Sequence, residues 1–249
     1  MMPSRIRTCP RPRATLESVL VYLDQNYASR VAKFLIGQTS HAAFGEVHGA
    51  LREARACVPA SPFHVLETRG GYLLPTLETL FADLSGGAWL RPWQEVARRQ
   101  ARRGCLDADD LLTAYGDWEA AATLDPLEDL LEVPLQGGFL RRRLTIRDHV
   151  AERFGLAPDA ARSLPFFDLL ARMVAFRSTD EERIDRPSDL TDLLMAATVA
   201  PYVDALATDR YVAEMLARVG HEGPVFSGRR PDVLRFAAWL REAGPKGTA

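Results

Sequence analysis

The stretch Val19-Leu20-Val21-Tyr22-Leu23-Asp24-Gln25-Asn26 decides the fold. Five apolar, β-prone residues end abruptly in an acid and two amides. A continuous apolar run this short reads as a strand covered on both faces, the mark of a parallel sheet. Helical sequence follows to about Ile36. Ahead of the run, residues 1–18 form a basic leader, with Arg5, Arg7, Arg11 and Arg13 set among Pro3, Pro10 and Pro12. No apolar core long enough for a signal peptide follows them.

Downstream the same grammar returns. A second helix spans Phe44 to Arg55, and Ala56 to Ala60 is a short apolar stretch in which Pro59 marks an edge strand or a strand end. Ser61-Pro62 opens a helix, serine as cap and proline in the first turn. His64, Glu67 and Thr68 lie on it, before Gly70-Gly71. Residues 89–185 are helical in pattern, with amphipathic pieces at 94–103, 108–122 and 165–177, and with the arginine triplet 141–143 in a turn-rich break. Pro187-Ser188 starts a further helix with Asp189 and Asp192 in its first turns. Val203 to Thr208 reads as a strand, Asp209 begins a helix that Gly220 can end, Pro224 to Phe226 is another strand, and a helix covers about 231–243. Strands alternating with helices predict an α/β fold with helices on both faces. The sheet should be mostly parallel, with four to five strands. One domain should span 19–249, with a large helical insertion at 89–185.

Bulk properties exclude several classes. The chain has 249 residues, of which 47% are hydrophobic, which is globular and not disordered. No apolar run approaches the ~18 residues of a membrane span, so the expected setting is cytoplasmic, without membrane. Cys9, Cys57 and Cys105 are odd in number and scattered, which suits neither a disulfide framework nor a zinc ligand set. The net charge of −2 gives no global pull toward nucleic acid, so local clusters must be weighed instead. The clearest cluster is Arg98, Arg99, Arg102 and Arg103, which helical spacing puts on one face. That face is either solvated or a phosphate-contacting wall, with Arg98 and Arg102 as substrate contacts.

The acids carry the chemistry. In open α/β sheets ligands sit outside the carboxyl ends of the strands. Asp24 and Asp209 fall at that edge, and Glu67 and Asp192 fall on helices adjoining it. Several carboxylates in one place repel one another and raise their own pKa values unless a cation intervenes. Mg²⁺ prefers oxygen ligands and keeps waters, so a few carboxylates suffice to hold it. Asp24 and Asp209 could instead be ordinary helix caps, and Asp189 competes with Asp192 as the third acid, one turn earlier.

Three segments resemble the PIN-domain ribonuclease family: V-Y-L-D-Q-N (21–26), S-P-F-H-V-L-E (61–67), and D-L-T-D-L-L-M-A-A (189–197) followed by Y-V-D-A-L-A-T-D (202–209). The resemblance implies a PIN-like α/β/α fold and a catalytic, metal-binding set of Asp24, Glu67, Asp192 and Asp209. Asn26, His64 and Thr208 would give polar support or substrate contacts. It further implies Mg²⁺ or Mn²⁺ as cofactor and RNA as substrate, hydrolysed by a metal-dependent endoribonuclease. A homo-oligomer and an antitoxin or regulatory protein are the partners such a chain would admit. The alternative is a catalytically silent PIN-like binding module. A phosphatase with Asp24 as nucleophile fits poorly, because the acid such enzymes carry two residues on is here Asn26.

Overall fold

A computed structural model of the chain describes residues 18–68, 70–114, 116–118, 130, 133–179 and 187–244. The expected leader falls almost wholly outside them. Three strands form the regular sheet: β1 (Val21–Leu23), β4 (Ala205–Thr208) and β5 (Val225–Ser227), all parallel in the order β1-β4-β5. Leu23 pairs with Ala207, and Thr208 with Ser227. A separate antiparallel pair joins β2 (Trp89–Leu90) to β3 (Leu112–Thr113).

The stretch expected as a strand at 56–60 makes only single bridges. Leu20 pairs with Cys57 on one side and Ala60 with Trp89 on the other, both in parallel sense. Pro59 has no N–H to donate, so a continuous ladder cannot run through it. These bridges still link the two strand sets into one array, in which β3, β2, residues 57–60, β1, β4 and β5 follow in order. The chain moves outward from β1 to one side, then crosses to β4 and β5 on the other. The order therefore reverses between β1 and β4.

Alternation along the strands divides the apolar residues into two cores. Leu20, Tyr22 and Leu206 point into one, built with helices Trp93–Arg103, Phe139–Arg153, Pro165–Arg177, Pro187–Val199 and Arg210–Arg218. Val21, Leu23, Ala205 and Ala207 point into the other, built with helices Gln25–Leu35, Ala42–Glu53, Leu74–Ser85 and Arg230–Ala243. The two faces of β1 are thus covered, as its unbroken apolar run requires. Gly220, at φ +80°, takes the left-handed position after helix Arg210–Arg218.

The expected helical block departs from expectation in three places. It opens on the β2–β3 pair. The helix expected at 108–122 is a single turn, Ala108–Leu111, followed by β3, and residues 119–122 lie outside the described residues. The triplet Arg141–Arg143 lies in a helix, Phe139–Arg153, because Gly137-Gly138 precedes that helix and does not interrupt it. Cys57 is a free thiol, whereas Cys105 is disulfide-bonded, which the scattered count did not anticipate. Among the described residues no helix is long and apolar enough to cross a membrane.

Candidate active site at the β1–β4 edge

The reversal of strand order places the carboxyl ends of β1 and β4 side by side, and such a switch point is where an open α/β sheet offers a crevice. Asp24 leaves β1 and caps helix Gln25–Leu35, its Oδ1 accepting from the Tyr27 amide at 2.8 Å. Asp209 leaves β4 and caps helix Arg210–Arg218, its Oδ1 accepting from the Val212 amide at 2.8 Å. Both acids are therefore helix caps, and the positive ends of two helix dipoles meet their charges there.

The two are also joined to each other. Asp24 Oδ2 accepts from Thr208 Oγ1 at 2.6 Å and from the Asp209 amide at 2.8 Å, while the Asp24 amide donates to Ala207 O at 2.8 Å. Thr208 is fully buried. It holds the Asp24 carboxylate. Asp24 itself is 7% exposed, and burial pushes its carboxyl up to about 6, with the negative charge of Asp209 adding to the rise and the Thr208 hydroxyl opposing it.

Glu67 comes from helix Pro62–Thr68 and Asp192 from helix Pro187–Val199. Glu67 is raised to about 7 by burial of its carboxyl and by the charges of Asp24 and Asp209, although the side chain still reaches solvent. Asp192 is raised to about 8, by burial first and then by Glu67, Asp209, Asp24 and Asp189. The Asp209 charge acts on all three of the others, so the four expected acids lie near one another. None makes an ion pair with a described residue. Their oxygen donors suit Mg²⁺ or Mn²⁺. Asp24 has about one acceptor direction left on Oδ1 after its three hydrogen bonds. As they stand, however, no three His, Cys, Asp or Glu side chains among the described residues are gathered tightly enough to hold a metal ion. The expected convergence on one point is met at the level of the strand ends and the shared field, not at ligating distance.

Asp189 and Asp204, the two competing acids, have other work. Asp189 is buried against Arg177, with Nη2 to Oδ2 at 3.4 Å. Asp204 accepts the Leu20 amide at 2.8 Å and so ties the start of β1 to β4.

His64, expected among the substrate contacts, lies in the interior. It is fully buried, stacked on Tyr22 with ring centroids 5.1 Å apart and leaning on Phe81 at 4.4 Å. Its Nε2 lies 2.7 Å from Leu23 O, a carbonyl that can only accept, so Nε2 carries the proton. Nδ1 then accepts from Ser61 Oγ at 3.1 Å, and Ser61 Oγ in turn accepts from the Tyr22 hydroxyl at 2.8 Å. Burial lowers the imidazole to about 4, which keeps it neutral in this chain. The sequence signal for this role was Ser61 three residues before His64, beside the tyrosine two before Asp24. The result fastens the helix that carries Glu67 to the strand end that carries Asp24.

Asn26 is exposed in the first turn of its helix. The arginine face of helix Trp93–Arg103 splits. Arg99 and Arg103 are tied to Asp110, and Arg99 also to Glu95, while Arg98 and Arg102 are exposed and pair with no described residue. That helix packs against helix Pro187–Val199, which carries Asp192. No protein-family model, no curated protein and no solved structure matches this chain, so the reading of the site rests on its own residues and their geometry.

Proposed function

We propose that the chain is a PIN-like, divalent-cation-dependent endoribonuclease working at the β1–β4 edge. One observation carries the reading. Asp24, Glu67, Asp192 and Asp209 lie within reach of one another's charge at one sheet edge without an ion pair from any described residue, and three of them hold protons well above the usual carboxylate range. Carboxylates kept together without cations are costly to the fold, and a hard cation relieves that cost. When bound, Mg²⁺ or Mn²⁺ would supply charge for the phosphate and a more acidic water. Asp24, Asp192 and Asp209 would hold it. Thr208 and the Asp209 amide fix the Asp24 carboxylate, and the His64–Ser61–Tyr22 chain fixes the entry of the Glu67 helix. Glu67, the most solvent-open of the four, is suited to orient an attacking water and to accept its proton.

The test is cleavage of an end-labelled single-stranded RNA by purified protein. Cleavage should stop in EDTA, return with Mg²⁺ or Mn²⁺, and be absent in Asp24→Asn. Full cleavage in chelator by wild type, absent from a mock purification, overturns the mechanism. A second reading, a catalytically silent nucleic-acid-binding module, draws support from the absence of three carboxylates at ligating distance among the described residues. RNA binding without cleavage under any divalent metal would select it.

A further inference from the structure

A half-open groove of about 330 Å³ runs beside β5, between helix Arg210–Arg218 and the head of helix Arg230–Ala243. Its position follows from the sheet. β5 pairs only with β4 among the described strands, so its other side is free to border a cleft. Ser227 lines the groove and is the register partner of Thr208, the residue that holds Asp24. Arg210, which lines it too, directly follows Asp209. The groove therefore opens on the edge that carries the acids.

Its lining has two parts. Three exposed arginines, Arg210, Arg229 and Arg235, line it. The acids there are already engaged: Glu214 with Arg210 at 2.6 Å, and Asp232 with Arg235 at 3.1 Å and with the Ser227 hydroxyl at 2.5 Å. Arg229 makes no ion pair with a described residue, is exposed, and occupies the cap position of a 14-residue helix that no described side chain caps. An exposed guanidinium at the head of a helix is a good seat for a phosphate. Ala213, Ala217 and Val225 give the groove small apolar surface, and His221 lines it as well. Burial lowers that imidazole to about 4, so it presents a neutral aromatic face and adds no charge. Guanidinium groups beside small apolar surface and a neutral imidazole match a nucleotide, phosphate on the arginines and base on the apolar residues. The volume is of the right order for one.

We infer that this groove binds one nucleotide of a single-stranded RNA substrate beside the phosphate presented to the acid edge, with Arg229 taking that nucleotide's own phosphate. Only the placement of the cleaved bond rests on the nuclease reading. The binding itself does not.

The experiment measures anisotropy of a short fluorescein-labelled single-stranded oligoribonucleotide in EDTA, across a salt series, with circular dichroism confirming the fold of each variant. Arg229→Glu should weaken binding roughly tenfold or more and lower the salt slope by about one. Ala213→Trp, which fills the groove at constant charge, should weaken binding comparably and leave the slope as it is. Arg52→Glu, beside the C-terminal end of helix Arg230–Ala243 and so away from the groove at its head, makes the same charge change and should bind like wild type. The inference is overturned if the two groove variants fold and bind like wild type, if Arg52→Glu loses as much as Arg229→Glu, or if wild type does not bind the oligonucleotide. Loss of binding in the groove variants from a protein that never cleaves keeps the groove and removes the nuclease. Metal-dependent cleavage with unaffected groove variants does the reverse.

Discussion

Two regions of this molecule bury acids, and they treat them in opposite ways. In the helical block, Asp168 is held by Arg172 at 2.8 Å and by Arg143, with Asp168 and Arg172 almost wholly enclosed. Nearby, Asp189 meets Arg177, and Asp110 meets Arg99 and Arg103. At the β1–β4 edge, Asp24, Glu67, Asp192 and Asp209 meet no arginine among the described residues. The chain has 31 basic residues, so cations are not scarce. Asp189 and Asp192 sharpen the contrast, since one turn of the same helix separates a neutralised acid from an unneutralised one. An acid paired within the fold is part of the structure. An acid cluster left unpaired holds free energy that an external cation can release.

Substitutions should therefore have opposite signs in the two regions. The largest effect is expected at Asp24. Asp24→Asn keeps the shape and removes the charge, and metal-dependent cleavage should fall by roughly 10³-fold, in line with the loss of a transition-state electrostatic contact, with folding retained. Retained cleavage in that variant would break the comparison. Next comes Asp168→Ala, which strands the buried Arg172 guanidinium and removes the partner of the half-buried Arg143. It should destabilise by about 3–5 kcal/mol in chemical denaturation, the usual cost of breaking a buried pair from one side. A loss below ~1 kcal/mol would mean that the paired acids are not structural after all.

Asp192→Asn should do the contrary. In chelator near pH 8 it should stabilise by on the order of 2 kcal/mol, a value already reduced for the partial solvent access of Asp192. Destabilisation there would show that the edge acids are not in conflict. The pH dependence follows with the same sign. Asp24, Glu67 and Asp192 have folded-state values of about 6, 7 and 8. These lie above the ordinary carboxylate range of an unfolded chain, about 4. Their contribution is fully present below about pH 4 and is lost as pH rises through the folded values. The melting temperature in EDTA should then drop between about pH 5 and pH 8, and Mg²⁺ or Mn²⁺ should recover it more at pH 8 than at pH 5. A flat profile would separate the acids from one another. The smallest effect is expected from reversing Arg98 and Arg102, which should weaken RNA binding by a few-fold in low salt if the helix facing Asp192 also touches phosphate. Unchanged anisotropy across a salt series would leave that face merely solvated.

The sequence by itself determined the pieces that depend on local chemistry. The unbroken apolar run of β1, the caps at Asp24 and Asp209, the Ser-Pro helix start at 61–62 and the stop at Gly220 are each dictated by a few neighbouring residues, and each stands where the chain predicts it. The parallel α/β character followed from their order. What sequence could not carry was everything decided across long separations. Whether an acid meets an arginine depends on which helices pack together, and so Asp189 and Asp192 look alike until Arg177 arrives from another helix. His64 looks like a substrate contact until the strand above it supplies Leu23 O and the tyrosine that completes its hydrogen bonds. The groove of Arg210, Arg229 and Arg235 has no motif, since its walls come from two helices and an edge strand. Only the tertiary structure chose these partners, because burial and charge pairing are properties of the packed chain and not of its segments.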